Sequence, residues 1–269
     1  MQATTIRYEQ KGYVGIITLN RPQRMNAVNE AMYTEIQRVL ENKKEDENTR
    51  VLVITGSVYR KADAIKPVFC AGADLKEHAS GNRNPSRQKE YITLAHQTTR
   101  MVYEFPKVTI AAINGPARGA GVELALNCDF VVMSDEATLA FTETGLGTFV
   151  GGGVTYHLPS IVGLMRAKEL IYTGKIIDGG EAFGMGLALK SVPPGNLMET
   201  VMSLARDLAE KAPLSMKLAK TRLQGAMQQD LQETLEYETD AILSLMKTDD
   251  WHEGIRSFME KRKPVYKGR

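Results

Sequence analysis

The 269-residue chain is poor in cysteine, histidine and tryptophan, and it has almost no net charge. Its two cysteines, Cys70 and Cys128, cannot build a disulfide framework, and their apolar neighbours suggest buried thiols in a reducing compartment. Four histidines, His78, His96, His157 and His252, show no metal-ligand spacing, so no metal site is expected. Lys and Arg number 34 against 32 Asp and Glu, a net charge of +2. That balance gives no basic stripe for nucleic acid and no strong attraction to an anionic membrane. No window reaches the roughly 18–20 unbroken apolar residues of a membrane span. The first residues, Met-Gln-Ala-Thr-Thr-Ile-Arg, lack the basic-then-apolar layout of a secretion signal. The expected setting is the cytoplasm.

What is present is ample apolar material, 43% of the residues, arranged in alternating strand and helix signals. Thr5–Gln10 and Tyr13–Asn20 read as strands joined at Lys11-Gly12. Asn29 is placed to cap a helix reaching about Lys44, with Met32, Ile36, Val39 and Leu40 as its apolar stripe. Val51–Gly56 is a buried strand. A second cycle follows: a helix over Gln88–Tyr103, a strand over Val108–Asn114, a short helix over Gly119–Asn127, and short strands over Phe130–Ser134 and Leu139–Thr142. This alternation predicts an α/β architecture. From Asn196 onward the pattern is helical, with helices expected near 198–209, 214–227, 231–246 and 250–261. The chain therefore divides into a core of residues 1–195 and a helical region of residues 196–269. Residues 57–67 and 80–87 read as exposed loops.

Two segments carry the chemistry. Cys70-Ala71-Gly72-Ala73-Asp74-Leu75 runs from small to acidic, with Asp74 placed to cap a following helix. Asn114-Gly115-Pro116-Ala117-Arg118-Gly119-Ala120-Gly121 is a second tight turn opening a second helix. Exposed amides at such junctions are donors for an oxygen that gains negative charge. Glu123 and Glu143 lie among small and apolar residues, where a carboxylate is costly to bury unless it is hydrogen-bonded or has work to do. Two such groups converging could hold one water and move protons to and from a substrate.

Taken in order, these motifs resemble the crotonase, or enoyl-CoA hydratase/isomerase, superfamily. The resemblance spans nearly the whole chain. It runs from Leu19-Asn20-Arg21-Pro22 and Met25-Asn26-Ala27 through 70–75, Ala111–Gly115, Gly121–Ala125 and Cys128-Asp129 to Phe258–Pro264. It implies a spiral of repeated ββα units, closed by C-terminal helices that mediate a homotrimer, with two trimers stacking into a hexamer. It implies an acyl-CoA thioester substrate, with coenzyme A as part of the substrate and no separate cofactor. The thioester oxygen would meet the amides of Ala73 and Ala120. Glu123 would act on the water and Glu143 on the α-carbon proton, in the syn hydration of a 2-enoyl-CoA to a 3-hydroxyacyl-CoA. Coenzyme A would contact Gln23, Arg24, Ala71, Gly72, Ala73, Asp74, Leu75, Phe258 and Lys261.

Three places depart from the family pattern: the long 57–67 connection, Arg118 where an apolar residue is usual, and Phe149-Val150-Gly151-Gly152-Gly153 near the acyl pocket. They leave room for a branched or cyclic acyl group. Isomerisation of an enoyl-CoA or hydrolysis of the thioester is the enzymatic alternative. An RNA-binding relative that keeps the fold is the non-enzymatic one, and the balanced charge gives it little support.

Overall fold

The structure is a computed structural model that describes residues 5–61, 64–79, 84–225 and 231–269. The chain opens with β1 (Ile6–Lys11) and β2 (Val14–Leu19), then α1 (Glu30–Lys44) and β3 (Val51–Gly56). Asn29 caps α1 by accepting from the Met32 amide at 3.1 Å. Next come β4 (Val58–Lys61), β5 (Ala64–Pro67), α2 (Leu75–Ala79) and α3 (Pro85–Tyr103). The third stretch holds β6 (Val108–Ile113), β7 (Ala117–Arg118), α4 (Ala120–Leu126), β8 (Phe130–Ser134) and β9 (Thr138–Ala140). After it follow α5 (Val154–Val162), α6 (Leu164–Thr173), β10 (Ile177–Asp178), α7 (Gly179–Gly184) and β11 (Lys190–Val192). The C-terminal helices are α8 (Leu197–Ala209), α9 (Pro213–Gln224), α10 (Leu231–Leu245) and α11 (Asp249–Met259).

Two expected loops contain regular structure. Within 57–67, β4 and β5 pair antiparallel, Val58 with Pro67 and Tyr59 with Lys66, while residues 62 and 63 lie outside the described residues. In 80–87, residues 84–87 belong to the start of α3, because Asn84 accepts from the Arg87 amide and Pro85 takes the first helical position. Residues 80–83 lie outside the described residues.

The main sheet has the order β1-β2-β3-β6-β8-β11, parallel from β2 onward, and a second sheet has the order β10-β9-β7. Thus β6 is followed by β7 and α4, while β8 is followed by β9, with β8 lying on β6 and β9 on β7. Each turn of the chain stacks on the last, which is the expected repetition of ββα units.

Strand periodicity explains why the sheet is covered on both sides. Leu52 and Ile54 of β3, with Ala111 and Ile113 of β6, face a core shared with α1, α3 and α4. Val51 and Val53, with Val108, Ile110 and Ala112, face the opposite cluster. That second face is closed by α8, whose Leu197, Val201, Ala205 and Ala209 recur every four residues. Each fully buried Val, Ile or Leu contributes about 1.5–3 kcal/mol.

An ion pair between a buried lysine and a half-buried aspartate fastens α9 to the sheet. Lys220 Nζ donates to Asp129 Oδ2 at 2.8 Å and to the Lys107 carbonyl at 3.0 Å, and the same carboxylate oxygen accepts from the Thr109 amide at 2.7 Å. Removing one member strands the other in a poorly hydrated place. Lys220→Met is expected to lower stability by about 3 kcal/mol, read as a fall in the urea midpoint at unchanged slope. An unchanged midpoint would show the pair to be dispensable.

Candidate active site

Two backbone segments converge where the two junction motifs meet. Cys70 donates its amide to the Pro116 carbonyl at 3.1 Å, and Arg118 donates its amide to the Cys70 carbonyl at 2.9 Å. Gly72 has a φ of 96°, and a Cβ there would stand 3.0 Å from the Arg118 carbonyl and 3.8 Å from the Ala120 nitrogen. Only a residue without a side chain allows this approach.

Beside that approach, neither the Ala73 amide nor the Ala120 amide has a backbone acceptor among the described residues, for separate reasons. The Gly72 carbonyl accepts from the Val28 amide, and the Asp74 amide donates to the Val28 carbonyl. In extended backbone, the Ala73 N–H must then point the other way. Ala120 is the first residue of α4, so its amide has no acceptor one turn back within the helix. Gly119 before it has a φ of 46°.

Glu123 and Glu143 both lie at the start of α4, next to Ala120 and Gly119. Glu123 sits in the first turn of α4, 8% exposed, and its Oε1 accepts from the Gly151 amide at 2.7 Å. Glu143 follows β9 and is 7% exposed; its Oε2 is buried with no hydrogen-bond partner among the described residues. Its Oε1 lies 2.8 Å from the place a Gly119 Cβ would fill. Burial pushes Glu123 up to about 7, the Gly151 hydrogen bond opposes this, and the negative charge of Glu143 adds to it. Burial also raises Glu143. Near neutrality Glu123 alone is therefore poised both to take and to give a proton.

The raised carboxyl has a stability consequence. Below the unfolded value of 4.5 Glu123 is protonated in both states and costs nothing; as pH rises through about 7 the folded protein must ionise a buried group. The shift corresponds to about 3 kcal/mol. Glu123→Gln is therefore expected to be more stable than the parent at pH 8 by up to about that amount, with the difference vanishing near pH 4. Urea unfolding at the two pH values checks this, and a less stable variant at pH 8 would contradict it.

The segment before α1 is laced to residues 70–75. Ala71 donates its amide to the Met25 carbonyl at 3.0 Å, and Arg21 pairs with Asp74 at 2.9 Å. Burial would raise Asp74, but the hydrogen bond and charge of Arg21 hold it below the usual carboxylate range. Asp74 Oδ1 also accepts from the Lys76 amide at 3.2 Å, capping α2. Gln23 and Arg24 stand exposed on a single 3-10 turn, Pro22–Arg24, next to Met25, and Leu75 opens α2. These expected ligand contacts are thus neighbours. Phe258 and Lys261 are not brought to them. Phe258 is 80% exposed at the end of α11, and no hydrogen bond or ion pair ties either residue to 21–28 or 70–75 among the described residues.

Cys70 is a fully buried thiol pushed up to about 12 by desolvation, as suits a packing residue. Arg118 donates to the Thr138 carbonyl and hydroxyl, both at 2.9 Å, so it ties β7 to β9. Two supporting residues escaped sequence reasoning. Gly151, noted only within a departure from the family pattern, holds Glu123. Asn127 holds the glycine loop, donating to the Gly152 carbonyl at 2.6 Å and the Glu123 carbonyl at 2.8 Å. A lone polar residue at the end of a short apolar helix was the only signal for it.

The enoyl-CoA hydratase/isomerase family model matches residues 9–269. The short-chain-enoyl-CoA hydratase of Clostridium acetobutylicum is 33% identical, over 98% of this chain and 97% of that protein. The crotonyl-CoA hydratase of Syntrophomonas wolfei is 34% identical, over 98% of each. The crystal structure of an enoyl-CoA hydratase from Bacillus anthracis superposes with a TM-score of 0.92 at 39% identity, covering 98% of this chain and all of that one.

Proposed function

The chain belongs to the enoyl-CoA hydratase/isomerase, or crotonase, family and has its fold, and we propose that within it the protein catalyses reversible syn hydration of a 2-enoyl-CoA to a 3-hydroxyacyl-CoA. The observation that carries this reading is the presence of two buried glutamates, both with raised pKa values, beside the Ala73 and Ala120 amides. Glu123 takes a proton from the water that attacks the β-carbon. The thioester oxygen gains negative charge as an enolate and is held by the two amides, each worth about 10²–10³ in rate. Glu143 then gives its proton to the α-carbon, and the same groups act in reverse for dehydration.

Coenzyme A is read as lying along Gln23, Arg24 and the 71–75 segment. Phe258 and Lys261 would reach it from a neighbouring copy in a homotrimer, or a hexamer of two trimers. The 80% exposure of Phe258 in one chain supports that arrangement. The free thiols Cys70 and Cys128 suit a reducing compartment such as the cytoplasm.

The test is loss of the conjugated enoyl-thioester absorbance when enzyme is added to 2-enoyl-CoAs of varied length, branching and ring structure. At least one should be converted to its 3-hydroxyacyl-CoA. Release of free coenzyme A, or conversion of 3-enoyl to 2-enoyl thioesters with no water added, would replace hydration by hydrolysis or isomerisation.

A further inference from the structure

The glycine loop at 151–153 brings a second titratable group to Glu123. A Cβ on Gly151 would stand 3.1 Å from His96 Nε2 and 3.2 Å from each carboxylate oxygen of Glu123. The imidazole Nε2 and the carboxylate oxygens thus lie 3.1–3.2 Å from one point and no more than about 6 Å from each other, a range over which water can bridge two polar groups. No direct hydrogen bond joins them among the described residues; the Gly151 amide is the donor that Glu123 receives. Their access to solvent differs. Glu123 is buried, whereas His96 on α3 is exposed.

We propose that His96 is a positioning residue that connects Glu123 to bulk solvent through one bridging water and clears its proton after each turnover. The inference rests on the hydration reading. In hydration Glu123 gains a proton from the attacking water while Glu143 loses one to the α-carbon, so the pair ends each turnover in the wrong protonation state. The Glu123 carboxyl passes its proton to the bridging water, which passes one to His96 Nε2. The imidazolium releases a proton to bulk water and returns to neutral, and Glu143 is reprotonated from solvent entering the cleft. No net proton is consumed, and dehydration runs the path backwards.

The other titratable groups around Glu123 do not offer this route. Tyr33 from α1 and Cys70 before α2 are buried and held protonated by desolvation. Glu143 is the partner carboxyl itself. His157 on α5 has its Nε2 3.0 Å from a Gly153 Cβ position, packs at a tilt on Tyr103 with ring centroids 4.7 Å apart, and is lowered by burial. Among the described residues, only His96 combines nearness to Glu123 with exposure.

The experiment compares His96→Ala, His96→Gln and the parent on a substrate that the parent hydrates. His96→Ala should lose about tenfold in kcat with KM within about twofold, and added imidazole should restore most of the loss. His96→Gln should stay low, because an amide does not take up a proton. A kcat unchanged in His96→Ala, no response to imidazole, or full activity in His96→Gln would each overturn the proposal. A second readout needs no turnover: carbon-13 NMR titration of the Glu123 carboxyl should shift upward by about half a unit in His96→Ala. No shift would overturn the link. A shift in a protein that hydrates no enoyl-CoA would keep the link and sink the hydration reading instead.

Discussion

Glu123→Gln and Glu143→Gln should each lose about 10²–10⁴-fold in kcat for hydration while KM changes little. The amide keeps the size of the side chain but cannot take or give the proton. On the proposed reading, substrate binding rests on the 21–28 and 70–75 segments, which neither substitution touches. Glu123→Gln can still accept the Gly151 amide through its carbonyl oxygen, so folding should survive. Glu143→Gln keeps the shape of the side chain and replaces one carboxylate oxygen by an amide group, at a place where Oε2 has no partner among the described residues. The double variant should be little worse than the worse single one, because the two groups act on one bond-making event. Steady-state kinetics on the soluble, folded variants reads this directly. Full activity in either would remove that glutamate from the mechanism.

Gly121→Ala carries the second large effect. A Cβ at this position would lie 2.6 Å from the Cys70 carbonyl oxygen and 2.7 Å from its Cβ. Neither is the end of a flexible side chain, so the first turn of α4 must move away from the Cys70 segment. That movement separates the Ala120 amide from the Ala73 amide, and two donors aimed at one oxygen become one. The expected loss in kcat is about 10²–10³-fold, the worth of one such donor. Overpacking adds a stability cost of about 1–3 kcal/mol. Circular dichroism and urea unfolding separate the two effects: a variant that is folded and slow fits the account. A folded variant of parental activity would show that the close approach of Cys70 and Gly121 does not set the donor geometry.

How much of this was legible in the sequence depends on the kind of signal. Asn29 before an apolar stripe gave the first helix and its cap. Runs of β-branched residues gave the strands, whose alternate side chains fill two separate cores. The pairing of β4 with β5 was not legible, because a sequence so rich in charged residues, Arg60, Lys61, Asp63 and Lys66, reads as a loop. The helices over 154–173 were hidden by Pro159 inside the first and Gly163 between the two. In the candidate site, the motifs pointed to the amides and both glutamates. What holds those groups came from the backbone: the Val28 contacts that turn the Ala73 amide, and the Gly151 amide on Glu123. Such contacts join residues far apart in the chain and are donated or accepted by backbone groups that every residue carries, so a single sequence carries little mark of them.

The most direct measurement follows the atoms. Incubate a four-carbon 2-enoyl-CoA with the enzyme in deuterated water enriched in the heavy oxygen isotope, and examine the product by mass spectrometry and NMR. A thioester still joined to coenzyme A, with one heavy oxygen on the β-carbon and one deuterium delivered to the same face of the α-carbon, is the predicted result. Heavy oxygen in a free carboxylate, or deuterium without oxygen, would contradict hydration by this pair of carboxyl groups.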